Sequence, residues 1–105
     1  MTTYEQGSVV LLPFPFSDLM TNKKRPGVIV SSNVYNENHY DVIVLAITSK
    51  IEKNDKYIIE NWKDSGLLKK SALKPLIFSV EKSLVIKRLG LIKGKDNELL
   101  KKILR

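Results

Sequence analysis

The stretch YDVIVLAIT, from Tyr40 to Thr48, decides the fold class. It is β-branched and apolar almost without a break, so it reads as a strand rather than a helix. A strand with one wet face would alternate. This one does not, which predicts burial on both faces or a central place in a sheet.

Working outward, similar segments recur at short intervals. Ser8 to Phe14 (SVVLLPF) reads as a buried strand, ended by Pro13 and Pro15, which lack the ladder N–H. Ser17 to Lys24 is polar and reads as a loop. Val28 to Ser32 reads as a second strand, entered through Arg25-Pro26-Gly27. Asn33 to His39 is a polar connection with room for one helical turn. Beyond the central strand, Ser49 to Asp55 reads as a charged loop and Lys56 to Glu60 as a short strand. Asn61 to Lys70 reads as a connector turning at Gly66. Ser71 to Leu76 is a short extended segment interrupted by Pro75. Ile77–Val80 and Val85–Ile92 read as two further strands, with Gly90 marking a bulge. Leu99, Leu100, Ile103 and Leu104 fall at helical spacing behind Asp96, a candidate N-cap. Short strands separated by turn signals, closed by one helix, predict a mainly β small barrel or sandwich.

The chain has 105 residues, which is one domain, residues 1–105, since two would need about 200 or more. It has no cysteine and one histidine, His39. A disulfide scaffold, a thiolate metal site, a cysteine nucleophile and any two-imidazole mechanism are therefore excluded. The N-terminus has neither the basic nor the apolar region of a signal peptide, and no apolar run is long enough to span a bilayer. The expectation is a cytoplasmic protein with no membrane association.

Charge is unevenly placed. Lys plus Arg is 18 and Asp plus Glu is 11, a net of +7. Residues 1–62 hold six basic and seven acidic groups, whereas residues 63–105 hold twelve and four. A half-chain at +8 suits a polyanion or an acidic protein partner, or a lysine-rich solvated surface.

Several of these segments, in order and at matching spacing, resemble the MazF/PemK family of toxin endoribonucleases. They are Gly7-Ser-Val-Val-Leu-Leu-Pro-Phe-Pro-Phe-Ser-Asp18, Lys24-Arg25-Pro26 before a strand ending Ser31-Ser32, and Asp41-Val-Ile-Val followed by Ile47-Thr48-Ser49. Trp62 to Leu67, Ser71-Ala-Leu-Lys-Pro75, Glu81-Lys-Ser-Leu84 and Leu89-Gly90 continue the likeness, which covers about residues 4 to 104. The resemblance implies an SH3-like barrel with a C-terminal helix and short helices elsewhere, paired as a homodimer. It implies a toxin of a type II toxin–antitoxin pair, blocked by an acidic antitoxin. The implied activity is sequence-specific cleavage of single-stranded RNA, such as mRNA, without metal or cofactor, leaving a 2′,3′-cyclic phosphate and a 5′-hydroxyl.

The family's paired arginine and threonine fall on Arg25 and Thr48. Arginine offers a planar fork of donors that fits phosphate bidentately, and threonine a hydroxyl at a rigid strand end. Guanidinium is protonated at ordinary pH, so the proton acceptor stays open among a carboxylate, an RNA phosphate oxygen and water. Lys23, Lys24, Ser17 and Ser49 are the candidate RNA contacts beside the pair. Read without the resemblance, Arg25 is a surface arginine and Thr48 a strand-end residue. Trp62, Phe14 and Phe16 read as packing residues, and His39 as a solvated loop residue. Lys74-Pro75 departs from the family, where many members keep an acidic residue or arginine. Two further readings remain: a non-catalytic RNA- or protein-binding barrel, and a poison of DNA topoisomerase, because the DNA-associated CcdB toxins share the fold. The latter's C-terminal tryptophan is absent here.

Overall fold

A computed structural model describes residues 4–14 and 24–104. The expected loop Ser17–Lys24 lies outside these residues except for Lys24, as do Pro15 and Phe16. The elements are β1 (Ser8–Pro13), β2 (Lys24–Ile29), α1 (Asn33–Asn38), β3 (Asp41–Thr48), β4 (Ala72–Glu81), a 3-10 turn (Lys82–Leu84), β5 (Lys87–Leu91) and α2 (Lys95–Ile103). The strands form one antiparallel sheet in the order β4-β3-β2-β1-β5.

Both faces of this sheet are buried, as the unbroken apolar run of β3 predicts. Val9, Val28, Leu45 and Ile47 enter one core; Val10, Ile29, Val42, Val44 and Ala46 enter the other. Successive strand residues point to opposite faces, so each strand feeds both. The first core is covered by α2, through Leu100, Leu99 and Ile103, and by the 57–70 connector, through Ile59, Leu67 and the half-buried Trp62. Phe78, Val80 and Val85 fill the second, where Phe14 meets Phe78 edge-to-face with ring centroids 5.3 Å apart.

The sheet must curl. β4 and β5 are its opposite edges, about 19 Å apart if it were flat. They are joined by residues 82–86 alone, three of them in a 3-10 turn that rises about 2 Å per residue. Curling around Val85 lets this short link reach, and Ile86 N–H bonds Leu11 O at 2.8 Å.

Four local readings are corrected. β2 starts at Lys24 rather than Val28, because Pro13, Leu12 and Leu11 of β1 pair with Lys24, Arg25 and Pro26. Lys56–Glu60 is no strand; it contributes one bridge, Ile58 to Ala72. Ser71–Leu76 and Ile77–Val80 merge into the continuous β4. Leu45 faces Ile77 but Ile47 faces Leu73, so Lys74, Pro75 and Leu76 bulge opposite Ala46 alone. A bulge on an edge strand accommodates a residue with no N–H to donate. Finally, Gly94 caps α2, with φ +58°, and Asp96 sits buried in the first turn. Its two carboxylate oxygens accept the N–H groups of Glu60 and Asn61, each at 2.9 Å. Asp96 therefore ties the connector to the helix.

The bulge expected at Gly90 is present: Val9 pairs with Gly90 and Val10 with Arg88, leaving Leu89 extra. Ser65 and Gly66 cross at this point. A Cβ on Gly66 would collide with the Leu89 carbonyl, and one on Gly90 with the Ser65 carbonyl. The helical turn expected in Asn33–His39 is α1, whose N-terminus is capped by Ser32 Oγ accepting from Tyr35 N–H at 3.1 Å.

Candidate active site

Strand register puts Arg25 and Thr48 at neighbouring strand ends. In the β2–β3 ladder Gly27 faces Ala46, Val28 faces Leu45 and Ile29 faces Val44. Arg25 lies two residues before Gly27 and Thr48 two residues after Ala46. The same register, carried two residues further, sets one opposite the other. Alternation puts both on the face of Ile29, Val44 and Ala46, the second core. Leu12, the direct partner of Arg25 on β1, lies on that face too.

Pro26 explains where the ladder stops. Val30 N–H bonds Ile43 O at 2.8 Å, so its N–H points toward β3. Counting back by two along β2, residue 26 would direct its N–H the same way. Proline has none. The last β2–β3 pair is accordingly Gly27 with Ala46; beyond it the two strands part, while Arg25 still faces Leu12 on β1 and Thr48 still faces Ala72 on β4. The result is a cationic side chain and a hydroxyl on adjacent strand ends, each supported by a fully packed core beneath.

Thr48 is half-buried, and its Oγ1 accepts from Lys50 N–H at 3.1 Å. That bond uses a lone pair and orients the hydroxyl, leaving its own O–H to donate. Arg25 is exposed. The ion pair found among the described residues is Lys101–Glu98, at 3.5 Å on α2, so no described carboxylate competes for the Arg25 fork.

The other expected contacts divide. Ser49 is exposed, directly after Thr48. Lys24 is exposed and pairs with Pro13, but alternation turns it to the face opposite Arg25. Ser17 and Lys23 lie outside the described residues. His39 is exposed, stacked on Tyr35 with ring centroids 3.8 Å apart and its Nδ1 3.0 Å from Tyr35 O. The Tyr35 hydroxyl meets both carboxylate oxygens of Asp41, at 2.9 and 3.0 Å. This hydrogen bond, with burial and the carboxylate charge adding to it, raises the Tyr35 pKa.

Among the described residues, no three His, Asp or Glu side chains gather where they could hold a metal ion. Nor is any described helix long and apolar enough to cross a membrane. An open depression of about 290 Å³ lies between the connector and β5, lined by Asp64, Arg88, Leu89, Gly90, Leu91 and Lys93. It contains neither Arg25 nor Thr48. The depression is thus separate from the candidate site, which is the register pair.

Over residues 5–105 the sequence matches the family of PemK-like, MazF-like toxins of type II toxin–antitoxin systems. The chain belongs to that family. No curated protein matches it. Solved structures share its fold. An endoribonuclease from a Mycobacterial species is 20% identical over 99% of this chain and 89% of that one, with a TM-score of 0.75. The MazF-mt6 toxin of Mycobacterium tuberculosis is 14% identical over 92% and 91%, TM-score 0.74. The MazE–MazF structure from Deinococcus radiodurans gives 16% identity over 97% and 94%, TM-score 0.74. At these identities the likeness is one of fold.

Proposed function

We propose that the protein is a metal-independent endoribonuclease that cuts single-stranded RNA by attack of a ribose 2′-oxygen on the adjacent phosphorus. The 2′-O–P bond forms as the P–5′-O bond breaks. One proton leaves the 2′-hydroxyl and one reaches the departing 5′-oxygen, giving a 2′,3′-cyclic phosphate and a 5′-hydroxyl. The observation that supports the reading is the β2–β3 register, which, extended two residues past Gly27–Ala46, lines up Arg25 with Thr48. Arg25 binds two oxygens of the scissile phosphate through its fork and offsets the charge of the phosphorane. Thr48 donates to a phosphate oxygen from a strand end already oriented by Lys50 N–H. Positioning and charge stabilisation are the two contributions these residues supply.

In this reading the toxin acts in the cytoplasm as a homodimer. The exposed apolar Ile77, Leu84 and Ile86 supply surface for a second copy. An acidic antitoxin is the natural inhibitor; a related Mycobacterial endoribonuclease is known in complex with its cognate antitoxin.

The test is incubation of the purified protein with a long RNA in EDTA, followed by mapping of the ends. Cleavage with cyclic-phosphate and 5′-hydroxyl ends is expected. A substrate with 2′-deoxy at the scissile nucleotide should be inert, and cutting of it overturns the 2′-oxygen mechanism. RNA binding without any cleavage would make the protein a binding module instead.

A further inference from the structure

The β4 bulge falls beside the candidate site. Thr48 faces Ala72, and Ile47 faces Leu73. Lys74 comes next on β4, at the first residue of the bulge. Strand alternation gives it a definite side. Leu73 packs into the first core, so Ala72 and Lys74 take the other face, the one that carries Thr48 and Arg25. Lys74 thus follows Ala72, the partner of Thr48, by two residues on that face, the diagonal position from which a long side chain reaches across strands. Arg25 flanks Thr48 from β2; Lys74 flanks it from β4.

Lys74 is exposed and forms no ion pair with a described residue. Its immediate neighbour Pro75 fixes its own φ and restricts residue 74 to extended conformations. Bulges next to active sites commonly re-aim a side chain. The connector covers the outer edge of β4 only as far as Leu73, through Ile59 N–H to Ser71 O and Leu73 N–H to Tyr57 O, and Lys74, the next residue, is exposed.

Resting on the endoribonuclease reading, we propose that Lys74 is a substrate-binding residue that contacts the RNA phosphate adjacent to the scissile one. The RNA backbone then crosses the sheet from β2 to β4, passing Arg25, Thr48 and Lys74 in turn. A point charge at a non-reacting phosphate binds ground state and transition state alike. Its loss should therefore raise KM and leave kcat nearly unchanged.

The experiment uses the full chain and a short RNA spanning a cleavage site mapped on the long RNA. Lys74→Ala should raise KM about 10-fold with kcat within about two-fold. Affinity for the 2′-deoxy version of that RNA should fall, and its log–log salt slope should become shallower by about 0.7, the single-strand value for one phosphate contact. Lys74→Arg should restore both, since it keeps the charge. Unchanged KM and unchanged salt slope in Lys74→Ala overturn the proposal while Arg25→Ala still tests the site. A fall in kcat at constant KM also overturns it, because the bulge would then serve only to shape the site. If the parent protein neither cuts nor binds RNA, the endoribonuclease reading fails and the Lys74 contact is refuted with it.

Discussion

Gly27 on β2 faces Ala46 on β3, and theirs is the last pair of that ladder. They are the two smallest residue types. A Cβ on Gly27 would press on Val44 Cγ1 and Leu12 Cδ2, so the end of the ladder is tightly packed. The residues beyond it, Arg25 and Thr48, are each held by a partner on the outer side, Leu12 and Ala72, and stand on a rigid base.

That base makes the two residues separable from folding. Arg25→Ala and Thr48→Ala should each fold as the parent does and lose most RNA cleavage. Arg25→Lys keeps a charge but loses the bidentate fork. A loss of about 10²-fold or more is expected, as for removal of one transition-state donor. Single-turnover cleavage of a mapped RNA site measures it. Parent-like rates in both alanine variants would show that the site lies elsewhere.

Assembly is checked by light scattering. A homodimer predicts about twice 12.0 kDa at micromolar concentration. A clean monomer would remove the dimer from the functional reading.

Asp96 should matter for stability and not for chemistry. Asp96→Ala leaves the N–H groups of Glu60 and Asn61 without acceptors inside the fold. Each orphaned donor costs about 1–3 kcal/mol, so a loss of about 2–6 kcal/mol is expected in urea denaturation. Asp96→Asn retains one acceptor oxygen and should lose about half as much. Equal stability of all three proteins would refute the tie.

Gly90→Ala should destabilise by about 1–3 kcal/mol, because its new methyl group meets the Ser65 carbonyl backbone rather than a yielding side chain. The thermal midpoint reads this directly. A midpoint equal to that of the parent would mean that the connector can lift off β5 at no cost.

Tyr35 gives a pH dependence. Its pKa is raised above the ordinary 10.0, first by the hydrogen bond to Asp41. A raised folded-state pKa means stabilisation that is complete below the unfolded value and lost as pH rises through the folded one. Tyr35→Phe should therefore be less stable than the parent at neutral pH, and the gap should narrow above about pH 10. A gap independent of pH would refute the linkage.

Local composition by itself determined most of the strands. The unbroken apolar run of β3 can be satisfied only by burial on both faces, and both cores receive its residues. Gly90 beside a bulge and the α2 apolar stripe were legible for the same reason: each is a property of a few neighbouring residues. Arg25 and Thr48 were legible as candidates through their family resemblance, not through any local signal. What only the tertiary structure decided are relationships between distant segments. Asp96 looks like a helix cap in sequence, yet its partners are 35 and 36 residues away. Pro75 looks like an interruption of a short extended segment, and becomes a bulge because Ala72 and Ile77 both find partners on β3. The alignment of Arg25 with Thr48, and the place of Lys74 two residues beyond Thr48's partner Ala72, depend on register between strands. Register is fixed by the packing of whole faces against two cores, which no short window of sequence contains.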